Sequence, residues 1–235
     1  MDRMKGVVLT GHGGLEMLEW REDLPRPKPA TGEVLVRLGG AAVNNTDVNT
    51  RLAWYSKGNG DAADATWTGK PLELPHIQGA DGCGEVVETG HRSDTGLIGK
   101  RVLIEPCLRE VAGQTVEPFW YVGSEVPGTF AEYICVPARH VHVIDSPLSD
   151  VELASFACSY STAENMIVRA GATAGERAIV TGASGGVGSA AVQLLIARGV
   201  EVTAVTSPAK ANALRDLGAT SCLNRDDTPD SQSYD

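Results

Sequence analysis

Cysteine is scarce in this sequence. The five residues, Cys83, Cys107, Cys135, Cys158 and Cys222, are an odd number, and no two form a C-x-x-C pair. That argues against a disulfide framework and against a dedicated structural zinc lobe. Basic residues are also short: 20 Lys and Arg stand against 30 Asp and Glu, for a net charge of −10, and they form no cluster. A nucleic-acid partner is therefore not expected. No run of 18 apolar residues occurs, and the N-terminus, charged at Asp2, Arg3 and Lys5, holds only the short apolar run Val7-Val8-Leu9. Such a segment does not read as a signal peptide, and no membrane partner is expected. A cytoplasmic, reducing setting follows as the default. What the chain does have is apolar content, 42% of 235 residues, enough for a sizeable core, with 27 glycines and 12 prolines to punctuate it.

Residues 1–150 read as β-rich. Strands are expected over Lys5–Leu9, Glu33–Leu38, Gly84–Glu88, Arg101–Glu105, Ala131–Val136 and Val141–Ile144, each short, aliphatic and bounded by Gly or Pro. With few helical periods between them, these predict a mostly antiparallel, barrel-like domain. Trp54–His76 and Cys107–Gly128 read as long loops, with Trp54, Trp67 and Trp120 in or beside them. Those rings either pack under the loops or wall a substrate.

From residue 151 to 235 the texture is α/β. Helices are expected over Ser149–Ala154 and Ala163–Arg169, capped by Ser149 and by Ser161 or Thr162. Arg177–Thr181 reads as a strand, Val187–Arg198 as a helix and Glu201–Thr206 as a second strand. Ala209–Leu217 reads as a helix stopped by Gly218, and Ser221–Asn224 as a third strand. Strand, helix and strand within 30 residues make one βαβ unit. The tail from Asp226 to Asp235 is acidic and polar and reads as disordered.

Between the first strand and its helix lies Gly182-Ala183-Ser184-Gly185-Gly186-Val187-Gly188. Gly182 permits a tight turn, Gly185 and Gly186 allow a pyrophosphate to approach the backbone, and Gly188 allows the helix to pack close. The helix N-terminus adds free N–H groups and a positive dipole end. The bland alternative is a turn that merely saves space. The second strand ends Thr206-Ser207-Pro208-Ala209-Lys210, without the carboxylate that usually binds the ribose hydroxyls of NAD. Thr206, Ser207 and the Lys210 charge suit a 2′-phosphate, so NADP(H) is the expected cofactor. The rival reading of Lys210 is an ordinary solvated helix residue.

In order along the chain, Gly32–Arg37, Asn44-Asn-Thr-Asp47, Gly79–Val87, Gly128–Tyr133, Cys158–Thr162 and Thr181–Gly188 resemble segments of the medium-chain dehydrogenase/reductases. The likeness runs from Met4 to about Asn224 and is nearest to the zinc-free, quinone-reductase-like branch. It implies a GroES-like β domain followed by a Rossmann domain, an active site in the cleft between them, and Thr162 among the cofactor-binding residues. Zinc alcohol dehydrogenases of the family carry a cysteine where this chain has Asn44 and a histidine–glutamate pair where it has Ala80-Asp81. Of the usual ligand positions only Cys158 matches, and it reads instead as a buried small hydrophobe. His140 and His142 read as surface residues of one strand face. No metal is expected.

Without a Lewis acid, a conjugated acceptor is the easier substrate, because hydride addition spreads charge onto an oxygen that donors can stabilise. The expected reaction is NADPH-dependent reduction of a quinone or an α,β-unsaturated carbonyl. The resemblance places Asn44, Thr46 and Asp47 at the cleft, with Thr46 at the proton-relay position and Tyr55 as a second donor. A helix cap before Val48–Trp54 is the rival reading of Asn44–Asp47. Zinc alcohol dehydrogenase is one alternative function. Another is a truncated, non-catalytic nucleotide-binding fragment, since only about three Rossmann strands follow Arg177 and little reductase activity is then expected of the chain alone. A full-length form is compatible with a homodimer.

Overall fold

The computed structural model describes residues 2–55, 66, 68, 71–91 and 95–227. Trp67, and the expected tail from residue 228 onward, lie outside them. The chain divides into two compact units, Met1–Ala157 and Cys158–Asp235.

The first unit runs β1 (Arg3–Leu9), β2 (Leu18–Pro25), β3 (Glu33–Ala42), α1 (Asn45–Arg51), β4 (Asp81–Thr89), β5 (Arg101–Ile104), β6 (Cys107–Val111), β7 (Gln114–Tyr121), β8 (Tyr133–Pro137), β9 (Val141–Val143) and α2 (Asp150–Ala154). A five-stranded antiparallel sheet in the order β8-β3-β4-β5-β9 forms its centre, flanked by the hairpins β1-β2 and β6-β7. Val34, Val36, Val86, Val102, Ile104, Ile134 and Val136 share one core with Leu108 and Val122. Burying aliphatic side chains of this size contributes about 1.5–3 kcal/mol each. The opposite face of β4 is covered as well, because Cys83 packs with Leu153 and Ala154 of α2. Gly39 and Gly40 make this seat possible: a Cβ on Gly40 would lie 2.6 Å from the Asp150 carbonyl oxygen. Arg101 then locks α2 with Nε 2.6 Å from Asp150 Oδ1. So α2, expected in the second domain, belongs to the first unit. Its start was legible: Ser149 caps it, and the Ser149 N–H donates to Glu152 Oε2 at 2.8 Å.

Two expectations need correction here. Cys107–Gly128 is not a loop, since β6 and β7 pair antiparallel from Cys107↔Tyr121 to Val111↔Gln114. The connection is Ala112-Gly113, with φ of 50° and 76°. Two positive-φ residues make a type I′ turn, whose usual sequence signal is Asn-Gly or Asp-Gly. Second, His140 is not a surface residue. It sits in a 3₁₀ turn before β9 and is 2% exposed. Its Nδ1 is 2.8 Å from Glu105 Oε2, and its Nε2 accepts the Arg109 N–H at 3.1 Å. The ring bolts the start of the β6-β7 hairpin to the end of β5. His142, by contrast, is exposed.

The second unit runs α3 (Ala157–Ala170), β10 (Arg177–Val180), α4 (Gly186–Ala197), β11 (Glu201–Thr206), α5 (Ala211–Asp216) and β12 (Ser221–Asn224). Its strands form a parallel sheet in the order β10-β11-β12, each crossover passing through a helix. Val192, Leu195, Val200, Val202, Ala204 and Leu214 make its core. This is the first part of a Rossmann sheet. The helix α3 starts earlier than expected, so Ser161 and Thr162 are interior residues and not caps. Their hydroxyls donate back to the Cys158 carbonyl at 3.3 and 2.7 Å.

Candidate active site and cofactor site

Asn44 is the N-cap of α1 and Asp47 its third residue. The Asp47 carboxylate accepts the Asn44 N–H at 2.8 Å on one oxygen and the Gly79 N–H at 3.2 Å on the other. It is buried, at 8% exposure. Burial pushes its pKa up, against the pull of those backbone donors. Asp47 thus ties the helix start to the Gly79 segment. Gln78 adds a bond to the Asp47 carbonyl at 3.1 Å.

Thr46 lies beside it. Its hydroxyl oxygen is buried and has no hydrogen-bond partner among the described residues. A buried polar atom left unpartnered is costly unless something else meets it. Tyr55, just past the helix, accepts a hydrogen bond from Asn49 Nδ2 at 3.2 Å and packs edge-on against Trp54, ring centroids 5.3 Å apart. Trp54 itself is 70% exposed.

The positions to which the family resemblance assigns zinc ligands are differently occupied. Asn44 Nδ2 donates to Asp81 Oδ2 at 3.0 Å, so the amide presents a hydrogen where a metal needs a lone pair. Ala80 supplies no ligand atom. Among the described residues no group of three or more His, Cys, Asp or Glu converges on one point. This donor set does not fit a catalytic zinc. Cys158, half-buried rather than buried, lies in the second unit.

In the second unit the glycine turn has the geometry its sequence requires. Gly182 has φ +60°, and a Cβ on Gly188 would lie 2.3 Å from the Gly182 carbonyl oxygen. The Ala183 N–H bonds to the Val205 carbonyl at 3.2 Å and fastens the turn to the end of β11. Gly185 caps α4 and, being glycine, brings no side-chain cap bond to the N-terminal amides. Ser184, Gly185 and Gly186 are exposed and Val187 half-exposed, so this backbone is open to an anion. Thr162, with its hydroxyl turned to Cys158, contributes no free donor hydrogen in this arrangement.

At the tip of β11, Thr206 is 5% exposed and its hydroxyl oxygen is buried without a partner among the described residues. It lines a pocket of about 230 Å³ with Pro208, Ala211, Arg215, Cys222, Leu223 and Asn224. Ser207 caps the 3₁₀ turn Pro208–Lys210 without a side-chain bond. Lys210 is exposed and makes no ion pair among the described residues. The orphaned Thr206 hydroxyl and the open amides fit a dinucleotide phosphate. Arg215 was not anticipated as a pocket residue. The signal was available: it stands four residues after Ala211, on the same face of α5.

Residues 30–146 match the alcohol dehydrogenase GroES-like domain, and residues 178–233 match the NAD dependent epimerase/dehydratase family. An alcohol dehydrogenase of Geobacillus stearothermophilus is 34% identical over 86% of this chain and 59% of its own length. A quinone oxidoreductase of Homo sapiens is 28% identical over 85% of this chain and 51% of its own length. A crystallised protein from Sinorhizobium meliloti 1021, described as an alcohol dehydrogenase, superposes with a TM-score of 0.86 at 40% identity, covering 99% of this chain and 65% of that one. The chain belongs to the medium-chain dehydrogenase/reductase family. Among medium-chain dehydrogenase/reductases it resembles both alcohol dehydrogenases and a quinone oxidoreductase. It spans 59% and 51% of the two curated relatives named above.

Proposed function

We propose that this medium-chain dehydrogenase/reductase reduces a conjugated carbonyl, a quinone or an α,β-unsaturated ketone or aldehyde, with NADPH and without zinc. The observation that carries the reading is the Asn44–Asp81 hydrogen bond. It consumes the position of a metal ligand while the neighbouring Thr46 hydroxyl stays buried and unpartnered. The similarity to a human quinone oxidoreductase supports the substrate class.

NADPH, when bound, supplies the hydride. The exposed turn and the amides of Gly186 and Val187 at the start of α4 suit its pyrophosphate, while the Gly185 N–H is spent on the Gly182 carbonyl at 3.0 Å. Thr206, Ser207 and Lys210 suit the 2′-phosphate, and Arg215 adds a second cation beside them. Thr46 and Tyr55 donate hydrogen bonds to the acceptor oxygen as negative charge develops there, and Tyr55, the more acidic hydroxyl, gives it one proton that solvent then returns to the phenolate. Asp47 holds the helix that carries Thr46 and takes no proton itself.

The test follows NADPH absorbance with a quinone and with an enone. Thr46→Val keeps the shape and removes the hydroxyl, so kcat should fall about 10²–10⁴-fold with stability unchanged or slightly raised. Unaltered turnover by Thr46→Val would overturn the assignment. So would oxidation of simple alcohols that a zinc chelator abolishes.

A further inference from the structure

We infer that Asn49 is a positioning residue that fixes the Tyr55 hydroxyl as a one-way hydrogen-bond donor; this rests on the role given to Tyr55 above. The C-terminus of α1 closes with two reversed backbone bonds. The Ala53 N–H reaches the Thr50 carbonyl at 3.0 Å, and the Trp54 N–H reaches the Asn49 carbonyl at 2.8 Å. Together they form a Schellman motif. The residue in the left-handed conformation is Ala53, φ 54°, where glycine is the usual occupant. A side chain held there against its preference marks a chain reversal that the surroundings enforce.

The reversal brings Tyr55 back onto the helix it has just left. Asn49 then holds it twice. Its carbonyl anchors the Trp54 backbone, and its Nδ2–H donates to the Tyr55 oxygen at 3.2 Å. Trp54 meets the Tyr55 ring edge-on, with planes 80° apart. An amide N–H cannot accept, so the phenol must direct its single hydrogen elsewhere. A hydroxyl that already accepts a hydrogen bond also donates its own more strongly. Asn49 stands three residues after Thr46, on the same flank of α1. The two donors therefore share one side of one helix, and Asn49 sets the polarity of the second.

The probe is 4-nitrophenolate, an aryl oxyanion like a singly ionised hydroquinone, followed by its visible absorbance and alongside quinone turnover. Asn49→Leu removes the amide donor and should weaken nitrophenolate binding about tenfold, the effect of one hydrogen bond. It should lower kcat by a similar factor with little change in KM. Asn49→Asp substitutes an acceptor that captures the phenol hydrogen, and should be worse than Asn49→Leu in both measurements. In a Tyr55→Phe background, Asn49→Leu should have no further effect. Asn49→Ser serves in place of Asn49→Leu if that variant does not fold. Equal losses from the Asn49 change with and without Tyr55, or full affinity and kcat in Asn49→Asp, would overturn the inference while leaving Tyr55 as a donor. If Tyr55→Phe itself changes neither binding nor kcat, or if the unaltered protein does not bind the probe, the role of Tyr55 fails and this inference fails with it.

Discussion

Replacing Gly188 with alanine tests how the cofactor turn is built. The new Cβ would stand 2.3 Å from the Gly182 oxygen, 2.7 Å from Ala183 Cα and 2.9 Å from the Gly182 carbonyl carbon. Ordinary contact begins at 3.4 Å, so the closest approach is more than 1 Å short. All three atoms are backbone, and none can rotate away. Alanine gains about 1 kcal/mol over glycine in helix propensity. Overpacking of this kind costs about 1–3 kcal/mol, and the immobile neighbours put it at the upper end. The clash should win by about 1–2 kcal/mol. In urea that lowers the midpoint of the second unit by roughly 0.5–1 M, read by circular dichroism. Gly186→Ala is the control, since its Cβ meets only the Ser159 hydroxyl at 2.7 Å, a side chain that can turn aside. Because α4 must shift to admit the Gly188→Ala methyl, its amides move too, and NADPH binding should fall with stability. A Gly188→Ala protein with an unchanged or higher midpoint would refute the reasoning.

His140→Leu should lower the stability of the first unit by about 1–2 kcal/mol in chemical denaturation, because the part-buried Arg109 N–H loses its acceptor and Glu105 a partner. A neutral outcome would mean that the hairpin is held by its apolar contacts alone. His76 gives a pH signature. Burial holds its pKa below the ordinary 6.5, and its Nε2 is buried without a partner. The unfolded chain therefore binds the proton more readily, and stability falls as pH drops from about 6.5 through the lower folded pKa. Denaturation curves across that range should show the loss, and His76→Gln should flatten it.

Much of the second unit was legible in the sequence, and the reason is physical. In Glu201–Thr206 the buried positions alternate as Val202, Ala204 and Thr206, a period of two that marks a strand. Gly199 and Gly218 punctuate the segments, so Glu201–Thr206 and Ser221–Asn224 emerged with the observed limits. The first unit hid three strands. In β2 most side chains are exposed or half-exposed and many are charged, leaving no apolar alternation to detect. In β7, Pro118 argued against a strand, yet the strand belongs to a two-stranded ribbon that tolerates it. The turn between β6 and β7 carried Ala112 where the usual signal is Asn or Asp. At the candidate site, both the catalytic and the capping readings of Asn44–Asp47 were in view. The structure gives Asp47 the capping bonds and leaves Thr46 unpartnered. Asn49 escaped notice because a contact across a left-handed helix end has no helical period. His140 escaped because a buried, fully bonded imidazole looks in sequence like any surface histidine.

The Ala112-Gly113 turn also marks a graft point. A Cβ on Gly113 would meet nothing within 4 Å, and the flanking residues Val111 and Gln114 are already paired across the ribbon. A peptide spliced between Ala112 and Gly113 would project from the end of a closed ladder, and the entropy of closing a longer loop grows only slowly with its length. An affinity tag or fluorophore could be carried there without breaking a pairing of the ribbon.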